Sequence, residues 1–334
     1  METQLDKMDQ HPLAGKFSQL TPEAVLGAVE TFGRRCTGRF VILNSYENRV
    51  YQLEMEDGAW LVGKFYRPGR WSKETIFAEH QLLEELEEAE VPAVCPLKDR
   101  QGNSIGEIMG ILFSVFPRIG GRTPDELTDE QVSILGRLIA RIHNVGAKRH
   151  TPHRLRLDPS TYGEMNLRYL IENKIIPPEA EDNFRLTAEA LIEQINPLFK
   201  NVPMHRIHGD CHLSNLIFTS NGFVFLDFDD MVTGPAIQDI WMMVPSFDEY
   251  GRRQRELLLD AYREFRDFDP SWMRLVEPLR ALRFIHYAAW IARRRHDPIF
   301  QKTFDYFGTV QYWQKETQDL REQLARISWT ANAG

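Results

Sequence analysis

A glutamate falls where a helix of a soluble protein ordinarily keeps apolar side chains. Ser72 is an N-cap residue type, and the run behind it reads as a helix to about Glu90. At about 100° per residue, Ile76, Leu82, Leu83, Leu86 and Ala89 share one stripe. Glu79 lies in the middle of that stripe, whereas Glu74, Glu84, Glu85 and Glu88 lie outside it and read as a solvated face. Burying an unpaired carboxylate is costly. The fold must therefore bring a partner to this helix face.

The surrounding pattern sets the fold class. Thr21 and Pro22 open a short helix to Phe32, after a polar, loose start over residues 1–17. Strand-like runs follow at Phe40–Leu43, Arg49–Met55 and Trp60–Tyr66, with Asp57-Gly58 as a hairpin turn between the last two. A further strand, Ile111–Phe116, runs into Pro117 and Gly120-Gly121, which reads as a lobe boundary. Beyond it, Thr128 to Gln131 forms a capping box, and two more helices are expected between Gly163 and Lys200. Asn221-Gly222 turns into a short strand at Val224–Leu226, and helices resume near Ile237. The expectation is an α+β chain of two lobes: residues 1–117, β-rich with one main helix, and residues 118–334, mainly helical.

Composition narrows the function classes. With 334 residues, 43% hydrophobic and 11% aromatic, the chain can fill a sizeable core. A net charge of −8 argues against a general nucleic-acid binder. Cys36, Cys95 and Cys211 offer neither a disulfide framework nor a zinc spacing, which fits a reducing compartment. The first residues lack a signal-peptide pattern, and no run approaches the roughly 18 apolar residues of a membrane span. The best candidate, Phe284–Ala292, reads as a core helix. A cytoplasmic monomer without nucleic-acid or membrane partners is expected.

One segment carries chemistry. Asp210 lies in His208-Gly-Asp-Cys-His, Asn215 follows five residues later, and Asp227 lies twelve residues beyond that in Leu226-Asp-Phe-Asp-Asp. These match the set used for phosphoryl transfer from ATP: an Asp that orients the acceptor hydroxyl, then an Asn and an Asp that hold Mg²⁺. A hairpin over Leu216–Leu226 would return Asp227 beside Asn215. That chemistry also needs a lysine on the phosphates and a glutamate to position it. Lys64 lies in a predicted strand fifteen residues before Glu79, and gives the stranded carboxylate its partner.

Several neighbours read more than one way. His208 braces the loop or acts directly. His212 faces substrate or braces. Cys211 fills space or carries redox chemistry. Asp229 and Asp230 are a second metal ligand or loop caps, and Asp239 reads as a structural brace. Arg280, Arg283 and Arg293–Arg295 attract an anionic substrate or form a solvated helix end.

His208-Gly-Asp-x-His-x-x-Asn followed by Leu226-Asp-Phe-Asp resembles the aminoglycoside phosphotransferase and choline kinase branch of the kinase-like superfamily. More narrowly, Leu43–Gln52, Lys64-Phe-Tyr-Arg-Pro, His208–His212, Gly234–Met242 and Glu277–Arg283 resemble the bacterial stress response kinase A (YihE) family. They occur in the same order, from about residue 18 to 315. The resemblance implies a bilobal kinase-like fold and a cytoplasmic, Mg²⁺- and ATP-dependent Ser/Thr protein kinase of envelope and oxidative stress. It implies Asp210 as proton acceptor, Asn215 and Asp227 as Mg²⁺ ligands, and Ser45 at the ATP phosphates, with ATP near Pro117. The turn at Asn44–Asn48 has no glycine, unlike the Gly-rich loop of protein kinases. Two alternatives stay open: a small-molecule hydroxyl kinase with the same site, and a partner-binding pseudokinase.

Overall fold

The computed structural model describes residues 16–43, 45–246 and 248–332. Most of the expected loose start, residues 1–15, and Asn44 of the turn expected at the ATP phosphates lie outside the described residues. The Thr21 hydroxyl accepts the Ala24 N–H at 3.3 Å and opens α1 (Pro22–Glu30). Strands β1 (Cys36–Leu43), β2 (Arg49–Met55) and β3 (Trp60–Phe65) follow. Ser72 caps α2 (Lys73–Glu88), accepting the Thr75 N–H at 3.2 Å. Next come β4 (Gly106–Ile108) and β5 (Ile111–Pro117), then α3 (Asp129–Gly146), α4 (Met165–Glu172) and α5 (Pro178–Ile195). Four short strands follow: β6 (His205–Ile207), β7 (Leu216–Thr219), β8 (Gly222–Phe225) and β9 (Val232–Gly234). The chain continues through α6 (Ile237–Met243), α7 (Glu249–Arg263), α8 (Val276–Ala292), α9 (Pro298–Thr303) and α10 (Val310–Asn332).

Contacts divide the chain into two units, and the division is not linear in sequence. The first runs to Thr128 and also takes His212–Met231; the second holds Asp129–Cys211 and everything from Val232. This differs from the single boundary expected at residue 117, for a backbone reason. The β7–β8 hairpin is stitched into the first unit by hydrogen bonds. The Phe225 N–H donates to Pro92 O at 2.8 Å, and Arg122 and Phe218 exchange N–H···O bonds at 3.1 and 2.8 Å.

In the first unit, the sheet order is β1-β2-β3-β5-β4, with antiparallel neighbours throughout. Its core joins α1 to the sheet through Val25, Val29, Leu53, Leu61, Phe65 and Phe113. Phe65 stacks on Phe113 at 5.2 Å. Because β3 is central, Lys64 pairs in register with Val50 on one side and Ser114 on the other. On α2, Ile76, Leu82, Leu83 and Leu86 are buried as the stripe predicts, and Glu79 is buried with them at 1% exposure.

The second unit packs α4, α5, α8 and α10 around Phe184 and Trp313, whose rings meet edge-on at 4.9 Å. The Phe284–Ala292 run forms the end of α8, with Ile285, Ala288, Ala289 and Ala292 fully buried. Among the described residues no helix is long and apolar enough to cross a membrane. The reading of Arg293–Arg295 as a solvated helix end needs correction. Arg293 and Arg294 are buried, at 7% and 4% exposure. Arg293 donates to Asn166 Oδ1 at 2.8 Å and lies 4.1 Å over the Tyr169 ring; Arg294 lies 4.6 Å over Trp290. Aromatic faces and a side-chain carbonyl replace the water that charge alone would demand.

Helix α3 lies against α7 closely enough that a Cβ on Gly136 would stand 2.2 Å from the Leu258 carbonyl oxygen. Gly27, on the exposed side of α1, has nothing within 4 Å of the same position. Gly136→Ala should therefore lower stability by about 1–3 kcal/mol through overpacking. Gly27→Ala should raise it by roughly 0.5–1 kcal/mol through helix propensity alone. Urea unfolding of both variants beside the wild type checks the opposite signs.

Candidate active site

Within the first unit, side chains far apart in sequence converge on one cavity of about 430 Å³. Ser45, Lys64, Glu79, Asn215 and Asp227 all line it, with Val62, Phe116 and Leu226 among its apolar walls. The volume is in the range of small-ligand sites, and the mix of apolar wall with few polar groups is typical of them.

Lys64 is the hub. Its Nζ lies 2.7 Å from Asp227 Oδ1 and 3.5 Å from Asp229 Oδ1. Burial works against the charge on Lys64. The Asp227, Asp229 and Glu79 carboxylates outweigh it and hold the lysine pKa well above its ordinary value. The partner expected for Glu79 is thus shared: the ammonium turns to the two aspartates, and Glu79 adds a third favourable field. Beside Glu79, His80 is fully buried, with Nδ1 2.7 Å from Ser104 Oγ and Nε2 3.3 Å from Tyr66 OH.

Asn215 and Asp227 meet as the spacing predicts. Asn215 ends a short 3-10 turn, its N–H donating to His212 O at 2.9 Å. The β7–β8 hairpin then turns the chain back, and the Leu226 N–H donates to Asn215 O at 2.9 Å. Asp227 itself adopts a left-handed backbone, φ 56° and ψ 66°. Asp tolerates that region better than most residues, at a cost that the surrounding bonds must cover. Its side chain is 54% exposed and keeps an open side.

The turn after β1 is held without glycine. The Ser45 hydroxyl accepts the Asn48 N–H at 3.2 Å. The Asn48 amide donates to Asp229 Oδ2 at 3.2 Å, and its Oδ1 accepts the Arg67 N–H at 3.2 Å. Arg67 in turn donates to the carbonyls of Tyr46 and Glu47, both at 3.2 Å. Arg70 binds Asp229 at 2.5 Å and also pairs with Asp230, while all of Arg67, Arg70 and Asp229 are buried. Sequence reasoning left Asp229 as a metal ligand or cap; the structure makes it the anion shared by Lys64, Arg70 and Asn48. The roles of Arg70 and Asn48 went unnoticed, because nothing in local spacing marks a partner 159 or 181 residues away.

Asp210 belongs to the second unit, in the loop after β6. Asp239 Oδ2 accepts the His208 N–H and Asp239 Oδ1 accepts the Gly209 N–H, each at 2.9 Å. Gly209 has φ 85°, and the Gln238 amide donates to its carbonyl at 3.1 Å. His208 Nδ1 accepts the Asp210 N–H at 3.4 Å, so His208 braces the loop, as does Asp239. Behind Asp239 stands His143, fully buried, with Nε2 3.1 Å from Asp239 Oδ2 and Nδ1 2.9 Å from Tyr262 OH. Burial pushes the His143 pKa down. A neutral ring facing a carboxylate at Nε2 carries its proton there and accepts the tyrosine hydroxyl at Nδ1. Cys211 is a buried filler, its thiol pKa held well up by burial. On the open side of the loop, Arg283 Nη2 lies 3.0 Å from Asp210 Oδ1.

In the first unit a charged lysine, an amide and a half-exposed carboxylate line one apolar-walled cavity, so an anion there would need a cation beside the carboxylates. Residues 40–276 match the phosphotransferase enzyme family, APH. Stress response kinase A of Escherichia coli K12 is 35% identical over 308 residues, covering 92% of this chain and 93% of that protein. Serine/threonine protein kinase RdoA of Salmonella typhimurium LT2 is 36% identical over the same shares of both chains. Among solved structures, amicoumacin kinase hAmiN in complex with AMP-PNP and Ca²⁺ superposes with a TM-score of 0.74 at 18% identity, covering 91% of this chain and 95% of the other. The microcompartment-associated aminopropanol kinase gives 0.70 at 18% identity, covering 92% and 98%. With the antiparallel sheet, the helical second unit and the Asp210, Asn215 and Asp227 motif all in this frame, the chain belongs to the APH phosphotransferase family, among the relatives of stress response kinase A.

Proposed function

We propose that the chain is an Mg²⁺- and ATP-dependent Ser/Thr protein kinase. The observation that carries the reading is the meeting of Lys64 Nζ with Asp227 Oδ1 at 2.7 Å in a cavity that Ser45 and Asn215 also line. The name of the Salmonella relative, a serine/threonine protein kinase, favours a protein acceptor. The names of the E. coli and Shigella relatives favour a role in stress response.

The donor set fits Mg²⁺. Asn215 and Asp227 supply hard oxygens, and Asp227 keeps an open side. Among the described residues no group of three His, Cys, Asp or Glu forms a closed metal cage. That suits Mg²⁺, which keeps several waters and takes one or two protein ligands together with substrate phosphates. Bound there, Mg²⁺ would offset charge on the transferring phosphoryl group.

The residues then divide the work. Lys64, fixed in the central strand, holds phosphate oxygens. Glu79 helps keep it charged and in place. Ser45 presents its hydroxyl and backbone to the phosphates. Asp210, held by the Asp239 brace, orients the acceptor hydroxyl and takes its proton. The acceptor oxygen forms its bond to the γ-phosphorus as the bond from that phosphorus to the β,γ-bridging oxygen breaks, and ADP leaves. Most of the acceleration comes from positioning and fixed charge, as expected for a loose transition state.

A second reading keeps this chemistry and changes the acceptor. Solved structures with this fold include an amicoumacin kinase and an aminopropanol kinase, whose names give small-molecule acceptors.

Transfer from γ-labelled ATP to a mixture of acidic and basic acceptor proteins tests the first reading. Label is expected on Ser or Thr, and Asp210→Asn should lower turnover by about 10²–10⁴-fold. Label confined to a small hydroxyl compound would transfer the assignment to the second reading. Lys64→Met should weaken kcat/KM for ATP by at least about 10²-fold, because it removes a charge aimed at the phosphates. Unchanged ATP kinetics in that variant would take Lys64 out of the nucleotide site.

A further inference from the structure

Arg283 is unusually placed for a surface arginine. It projects from α8 onto Asp210, with Nη2 3.0 Å from Oδ1, yet its side chain stays 42% exposed and that of Asp210 24%. A partly exposed ion pair of this kind contributes little to stability, so the guanidinium can turn to another carboxylate at little cost. Among the described residues, the other polar atom against the guanidinium is the Met242 sulfur, 3.8 Å from Nη1. That weak acceptor does not compete with an incoming anion.

The surroundings favour an anion as well. Arg280 lies three residues earlier on α8, its guanidinium 5.0 Å over the Trp241 ring and donating to Pro245 O at 3.1 Å. Arg255 and Arg326 add charge to the same cluster. Glu277 is the compensating carboxylate there, 3.9 Å from both Arg280 and Arg326. The Arg280 pKa is pushed down by burial, and by Arg326 and Arg255, against the pull of Glu277. On α8, then, Arg283 stands one turn from a cluster in which Arg280, Arg255 and Arg326 outnumber Glu277, and an excess of cations concentrates anions.

We propose that Arg283 selects the acceptor: a carboxylate or phosphate flanking the acceptor hydroxyl takes the guanidinium from Asp210, and Asp210 is thereby freed to receive the hydroxyl. The inference rests on the reading of Asp210 as the residue that orients the hydroxyl. An arginine fork suits this task, because it binds carboxylate or phosphate in a bidentate, directional way. With the hydroxyl on Asp210 and the anion on Arg283, the two groups of the acceptor lie within roughly 8 Å, two hydrogen-bond lengths plus a carboxylate. A Ser or Thr next to Glu, Asp or a phosphorylated residue meets that span. So does a small hydroxy acid, and the test separates the two sources.

The experiment measures kcat/KM for Ser peptides flanked by Glu, Ala or Lys, and for glycerate beside glycerol and choline, with wild type, Arg283→Gln and Arg283→Glu. Thermal melting of each variant accompanies the kinetics. The wild type should prefer Glu-flanked over Lys-flanked peptide by about tenfold or more, the scale of one charged hydrogen bond. Arg283→Gln should level the series, and Arg283→Glu should invert it while the melting temperature stays within a few degrees. A wild-type preference that survives in Arg283→Gln, or an equal loss on every acceptor, would overturn the proposal; the latter would make Arg283 a positioning residue for Asp210. If glycerate alone is phosphorylated and Arg283→Gln removes its advantage over glycerol, the anion selection stands and the protein-kinase reading falls. Preference for choline or Lys-flanked peptide overturns the selection alone. Absence of transfer to any acceptor overturns both.

Discussion

The first unit depends on closing a circuit of buried charge. Lys64, Arg70, Asp229 and Glu79 are each under a tenth exposed, and any one of them alone would be forbidding to bury. Together they satisfy one another across the central strand, helix α2, the turn at residues 45–48 and the segment after β8. Each of these pieces contributes a charge or an amide that another needs. The network is poor value as stability per residue, since an apolar set of the same volume would pack as well. Its worth lies in specifying a single arrangement: the turn cannot shift without releasing Asn48 from Asp229, and Asp227 cannot move without leaving Lys64.

The second unit solves a similar problem with neutral donors. One carboxylate, Asp239, spends both oxygens on successive backbone N–H groups and receives a buried histidine behind them. His143 is in turn met by Tyr262, so the loop that carries Asp210 hangs from helices α3, α6 and α7 through side chains that exclude water. The loop has almost no regular structure of its own. Its shape is imposed from behind, leaving the face with Asp210 and Arg283 open.

Much of this was legible in the sequence, and the reasons differ by residue. Glu79 was placed by helical period alone, and the hairpin between Asn215 and Asp227 by a turn signal and a fixed spacing. Lys64 was legible because the chemistry of Asp210, Asn215 and Asp227 asks for a lysine and the buried Glu79 asks for a partner. Arg70, Asn48 and Asp229 were not, since long-range ion pairs leave no periodic trace and a charged residue in a loop has solvent as its default. The same default misled the reading of Arg293 and Arg294. Their burial depends on Tyr169 and Trp290 faces that come together only in the folded helices. His143 sits on the apolar side of an amphipathic helix, and that position was the available signal for it. The single boundary expected at residue 117 differs from the grouping of contacts because a linear reading does not see a hairpin that returns to the loops at Pro92 and Arg122.

That return sets a schedule for the ribosome. The first unit's sheet is complete by Pro117, but the carboxylate that contacts Lys64 at 2.7 Å is 163 residues downstream of it. At about 5–20 residues per second, the partner is made roughly 10–30 s after the lysine. Through that interval a nascent chain holds a sheet with an ammonium facing an unfinished interior, and Glu79 is the one carboxylate of the circuit on α2 already made. The second-unit residues 129–211 are threaded out before the first unit can close. Final consolidation of the cavity around Lys64 is therefore a late event of synthesis, and a chain truncated before Asp227 would leave Lys64 without the Asp227 and Asp229 carboxylates.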